Sequence, residues 1–97
     1  MLVVRNVFQC KPGQANALID RFNAVIPIMT EGGEIRRGRL LVDVVAPFWT
    51  VVFEFEVENF EAYERMNSGP VREEVREAME GYTELLQSGH REIFRIA

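Results

Sequence analysis

Three side chains in this sequence could do chemistry outside an ordinary core: Asn6, Cys10 and His90. Asn6 and Cys10 lie in "RNVFQCKPG", from Arg5 to Gly13, where an amide and the only cysteine interrupt an apolar run. An amide such as Asn6 can hydrogen-bond a substrate carbonyl or a developing oxyanion. Buried in a core, the same group is satisfied by backbone at the start of a helix. His90 is the only histidine. General acid–base chemistry recruits imidazole most often, but it needs a partner and a pocket. Just past Gly89, read as a helix cap, an imidazole is also favoured by the helix dipole. Cys10 stands beside Lys11, whose charge would lower the thiol pKa modestly. With no Cys–His arrangement, its expected role is packing. Carboxylates concentrate in "EFEVENFEAYE", yet Glu54 and Glu56 alternate along a strand while Glu61 and Glu64 lie on a helix. Hard-cation sites need several oxygens converging from a loop, so no metal is expected.

The elements that must position these residues follow from periodicity. Leu2 to Gln9 is rich in Val and Phe and reads as a strand. "KPG" is a turn, with Pro12 placed where a first helical turn tolerates it. From Gln14 to about Met29, apolar residues recur at three- and four-residue steps, which predicts an amphipathic helix with Pro27 near its end. "EIRRGRLLVDVVAP" reads as a long second strand with Gly38 as a candidate bulge, and "WTVVFEFEVE" as the third. Asn59 is a suitable N-cap for a short helix "FEAYERM". After the break "NSGP", Val71, Val75, Met79, Tyr82 and Leu86 predict one helix from Val71 to Gln87, closed by Gly89. "HREIFRIA" is the fourth strand. The order β-α-β-β-α-β is that of a ferredoxin-like α+β fold, with a four-stranded antiparallel sheet and both helices on one face.

Bulk properties bound the rest. At 97 residues the chain is read as one domain, residues 1–97. A net charge of −4 opposes a nucleic-acid partner, and "RRGR" alone, without interleaved aromatics, does not reverse that. No apolar stretch approaches the ~20 residues of a membrane span, and "MLVVRNVF" lacks the charged start of a signal peptide. One cysteine makes no intrachain disulfide, so a reducing, cytoplasmic setting is expected.

Alternation sorts the strands into two faces. Trp49, Val51, Phe53, Phe55 and Val57 share the side expected to meet the helices, as do Leu2, Val4, Asn6, Phe8 and Cys10. The other face mixes Val3, Val7, Leu41, Val45 and Val52 with Arg5, Asp43, Glu54 and Glu56. A merely solvated face seldom carries so many β-branched residues. A homodimer packed through this face, with Arg5, Val7, Val52 and Glu54 in the contact, would bury them and let arginines pair with carboxylates across the interface.

With this element order, "RNVFQCKPGQANALIDRF" and the long apolar third strand, the chain resembles the dimeric α+β barrel superfamily. Its members include antibiotic-biosynthesis-monooxygenase-like and NIPSNAP-like proteins. The resemblance implies a dimer and a cleft between helices and sheet, on the side of Asn6 and Phe8. Haem-degrading members place an asparagine seven residues before the glycine of the following turn, which Asn6 and Gly13 match. Their helical tryptophan corresponds to Tyr63. Their haem-ligating histidine would fall around Glu73 to Val75, where no histidine stands, so haem chemistry is not expected and no cofactor is assigned. Phe8, Trp49, Phe53, Tyr63, Met66 and Tyr82 are the expected lining of an apolar pocket for a small apolar or aromatic ligand, although core packing explains the same residues. Two functions remain open. One is a small-molecule-binding or stress-associated homodimer. The other is a cofactor-independent monooxygenase or isomerase acting on an aromatic, polyketide-like substrate near Asn6, Tyr63 and His90.

Overall fold

The computed structural model describes residues 1–97. Its elements run β1 (Leu2–Cys10), α1 (Ala15–Glu31), β2 (Arg36–Val42), β3 (Thr50–Val57), α2 (Phe60–Ser68), α3 (Glu73–Ala78), a 3-10 turn (Tyr82–Leu85) and β4 (Leu86–Arg95). All strand pairs are antiparallel, in the order β2-β3-β1-β4. The fold is ferredoxin-like α+β. No helix is long and apolar enough to cross a membrane.

The core lies where α1 covers one face of the sheet. Val4, Val51, Phe53 and Phe55 meet Leu18, Phe22 and Val25 of α1 there. Phe22 and Phe53 anchor the contact, with ring centroids 4.8 Å apart in a tilted arrangement, a separation usual for packed aromatic pairs. Cys10 is wholly buried in this cluster, and burial pushes its thiol pKa up. Its role is packing.

Four expectations need correction. First, β2 ends at Val42, not Pro47. Val44 and Val45 are 93% and 96% exposed in the β2–β3 connection, so Val45 belongs to neither sheet face. Second, Trp49 does not join the inner face of β3: its φ of 65° turns the chain into the left-handed region just before the strand begins. Third, the segment from Val71 to Gln87 is not one helix. Gly81, at φ 74°, breaks it into a six-residue α3 and a 3-10 turn, because a left-handed residue cannot continue a right-handed helix. Fourth, Gly89 is no helix cap. It lies inside β4 opposite Phe8, where an added Cβ would meet the Val7 carbonyl oxygen at 3.1 Å.

Other local readings agree with the structure. Asn59 caps α2, its Oδ1 accepting from the Ala62 N–H at 2.9 Å. The bulge in β2 falls between Arg36 and Arg39. The left-handed residue is Arg37 (φ 52°) rather than Gly38. Gly38 is there for space: an added Cβ would lie 3.0 Å from Ile35 Cδ1 and 3.2 Å from Ile26 Cγ2.

Candidate functional site

Helix α1 is too narrow to cover a four-stranded sheet, and the short α2 and α3 do not close the remaining space. A cavity of about 320 Å³ is left between the sheet and the helices, at the lower end of the range for small-molecule sites. The sheet supplies Asn6, Phe8, Phe53, Phe55 and Arg91; α1 supplies Phe22 and Met29. Tyr63 and Met66 come from α2, Val75 and Met79 from α3 and its end, and Tyr82 from the 3-10 turn. The breaks after Ser68 and at Gly81 are what fold these short pieces over the sheet.

Six of the residues singled out in the sequence therefore come together here: Asn6, Phe8, Phe53, Tyr63, Met66 and Tyr82. Two do not. Trp49 lies at the far end of the sheet beside Ala15, Ile19 and Phe48, because its left-handed backbone carries it out of the strand's alternation. His90 pairs in register with Val7, while Asn6 pairs with Arg91. Successive strand residues point to opposite faces, so His90 is on the uncovered face and cannot join Asn6. Its Nε2 lies 3.3 Å from Glu92 Oε2.

Arg91 takes the place that His90 was expected to fill. Its Nε donates to Asn6 Oδ1 at 2.6 Å, and Nη1 donates to the Tyr63 hydroxyl. The guanidinium carbon is 5.6 Å from the centre of the Tyr63 ring, within reach of a cation–π contact. Tyr63 is buried against the core, which fixes the hydroxyl that Arg91 uses. Arg91 has no carboxylate within ion-pair distance. At the rim, Arg72 pairs with Glu34 and donates to the Ile28 carbonyl oxygen at 3.0 Å. That ties the α2–α3 connection to the end of α1.

Sequence reasoning missed Arg91, and the sequence carries little signal for it. In β4 the sets His90, Glu92, Phe94 and Arg91, Ile93, Arg95 each hold one apolar residue, so alternation does not choose a face. Only the pairing of Arg91 with Asn6 does.

The uncovered face is organised differently. One cross-strand row runs Arg39, Glu54, Arg5, Glu92 over all four strands. Glu54 Oε1 accepts from Arg5 Nη1 and Oε2 from Arg39 Nε, both at 2.5 Å, and Arg5 Nε donates to Glu92 at 3.2 Å. Burial pushes the Glu54 carboxyl pKa up, but the hydrogen bonds and charges of Arg39 and Arg5 outweigh it and hold the group below its ordinary value. The arginines expected to reach carboxylates across an interface are thus paired within the chain, because register sets opposite charges side by side. Leu41, Val52 and Val7 form an apolar row on one side of this one, and Phe94, half exposed, lies on its other side, opposite Val3.

No family model matches the chain, and no curated protein matches it. Solved structures do. A NIPSNAP domain protein from Burkholderia xenovorans superposes with a TM-score of 0.75 at 16% identity, over 100% of this chain and 95% of that one. An antibiotic biosynthesis monooxygenase gives 0.77 at 16% identity, over 100% and 99%. This chain shares their fold. A Shewanella oneidensis protein gives 0.75 at 22% identity, over 96% and 87%. At such identities the likeness extends to the fold and not to a reaction.

Proposed function

We propose that this protein binds a small, largely apolar aromatic molecule in the cavity between helices and sheet. The observation that carries the reading is one space, about 320 Å³, walled mainly by aromatic and methionine side chains, with Asn6, Tyr63 and Arg91 grouped at one side and the Arg72–Glu34 pair at the rim. Ligand sites have this composition: apolar walls and a few polar atoms that fix orientation. Phe8, Phe53, Tyr63, Met66 and Tyr82 form the walls and Asn6 belongs to the polar side. A thermal-shift screen of aromatic compounds tests the reading, repeated on Asn6→Ala and on Met79→Trp, which fills the cavity. Stabilising compounds should lose their effect in Met79→Trp. A stabilisation that persists there, or the absence of any stabilising compound, removes the cavity from consideration, and one that persists in Asn6→Ala removes that amide from the site.

The working form in this reading is a homodimer joined through the uncovered sheet face around Arg5, Val7, Val52 and Glu54. Support comes from the apolar row Leu41–Val52–Val7 and from Phe94. Because the charge row is already neutral within each chain, burying it costs less than burying single charges. Size-exclusion chromatography with light scattering at micromolar concentration should give twice the chain mass; a monomer refutes it.

A second reading is a cofactor-independent monooxygenase or isomerase acting on an aromatic, polyketide-like substrate. The convergence of Asn6, Tyr63 and Arg91 favours it, since donors aimed at one oxygen stabilise a phenolate or enolate. Oxygen uptake, or a change in absorbance under nitrogen, with a polyhydroxylated naphthalene as substrate separates the two. No turnover above the protein-free rate leaves binding alone.

A further inference from the structure

The polar side of the cavity has an unusual inventory of hydrogen-bonding groups. A guanidinium carries five N–H donors and no acceptor. Two of the Arg91 donors are spent, on Asn6 Oδ1 and on the Tyr63 hydroxyl, which leaves three. Since Arg91 can only donate, the Asn6 oxygen must face it, and the Asn6 Nδ2 is turned to the other side. That nitrogen has no partner in the protein and is not sealed from open space. The Tyr63 oxygen accepts from Arg91, so its own proton remains to be donated. Arg91, Asn6 and Tyr63 therefore each keep at least one unspent donor, around one positive charge that no carboxylate neutralises.

We infer that the ligand of this cavity is an aromatic monocarboxylate whose carboxylate is held by Arg91 and Asn6. The inference rests on the reading of the cavity as a ligand site and adds the chemical class. A carboxylate is acceptor-only when ionised and accepts two parallel bonds from one guanidinium. It is planar and bears a single charge, which one arginine matches. A phosphate ester would need further cations, and the other arginine at this cavity, Arg72, is tied to Glu34 and the Ile28 carbonyl. The apolar walls then take the aromatic body, with Phe8, Phe22 and Phe53 in successive tilted contacts at centroid distances of 5.5 and 4.8 Å.

The test compares three probes of equal ring size by isothermal titration at neutral pH: 2-naphthoate, 2-naphthalenemethanol and 2-naphthyl phosphate. Naphthoate should bind about tenfold or more tightly than the neutral alcohol, the usual gain from hydrogen bonds to a charged group. It should also bind more tightly than the phosphate. In Arg91→Met, checked for folding by circular dichroism, the preference for naphthoate over the alcohol should disappear while the alcohol still binds. In Arg91→Lys, part of the preference should remain. A purely structural role for Arg91 would weaken all three probes together, so that result overturns the inference. Equal binding of alcohol and naphthoate, a preference for the phosphate, or a preference that survives in Arg91→Met also overturns it, and leaves the cavity reading standing. If none of the probes binds at millimolar concentration, both fall.

Discussion

Arg5 and Arg91 sit one row apart on the neighbouring strands β1 and β4, and they face opposite sides of the same sheet. Arg5 lies in a row of alternating charge, between Glu54 and Glu92, and its guanidinium is neutralised inside the fold. Arg91 looks toward the helices, where its partners are an amide and a phenol and no carboxylate. Two residues of the same type, a few ångströms apart, thus have different consequences. On the uncovered face charge is cancelled, which suits a surface that pairs with another. On the covered face it is left uncancelled beside an apolar cavity, which suits an anion. The difference comes from the two-residue period of a strand and from what each neighbouring strand offers in register.

The largest effect is expected on the covered face. Phe53→Ala removes the ring that links Phe22 and Phe55, and a phenylalanine deleted from a packed core costs about 3–5 kcal/mol. Urea unfolding should show that loss together with the loss of aromatic ligand binding. A smaller cost would mean that the cavity wall collapses into the gap.

On the uncovered face, Glu54→Gln should cost about 1–3 kcal/mol, since it leaves a mostly buried polar group with weaker partners while Arg5 and Arg39 keep access to water. The cost depends on pH in a defined direction. The Glu54 pKa is lower in the folded protein than in the unfolded chain, so its contribution is complete above the unfolded glutamate value of about 4.3. It is lost as pH falls through the folded value. The stability gap between wild type and Glu54→Gln, measured by urea titration, should be constant near neutrality and narrow below about pH 4. A gap that widens on acidification reverses the assignment.

Phe94→Asp probes the same face without touching the core. The chain should stay folded, within about 1 kcal/mol of wild type, while its mass in solution falls from dimer to monomer. A dimer that survives moves the interface elsewhere.

His90→Ala and Trp49→Ala should change ligand affinity by less than about twofold, because neither side chain reaches the cavity, and His90→Ala should leave stability within about 0.5 kcal/mol. A loss of ligand binding in His90→Ala would place the imidazole functionally with Asn6, against the register that separates them.

Much of this molecule is legible in its sequence. The strand periods at Leu2–Cys10 and Thr50–Val57, the helical spacing from Ala15, the Asn59 cap and the order of elements all rest on local patterns, since propensity, capping and amphipathicity act over a few residues. Those patterns also determine that Asn6, Phe8 and Phe53 share the covered face. Tertiary structure alone decided the rest. Gly81 and Trp49 depart from helix and strand because their backbones turn left-handed, and the helical spacing of Val71, Val75, Met79, Tyr82 and Leu86 or an aromatic at a strand end does not show that turn. The pairing of β4 with β1 decided that Arg91 meets Asn6 and Glu92 meets Arg5, because β4 alternates two sets of side chains that are almost equally polar. Pairing in a sheet joins residues eighty-five positions apart, as Asn6 and Arg91 are; the sequence determines that Arg91 is charged, and only the register determines that nothing opposes the charge.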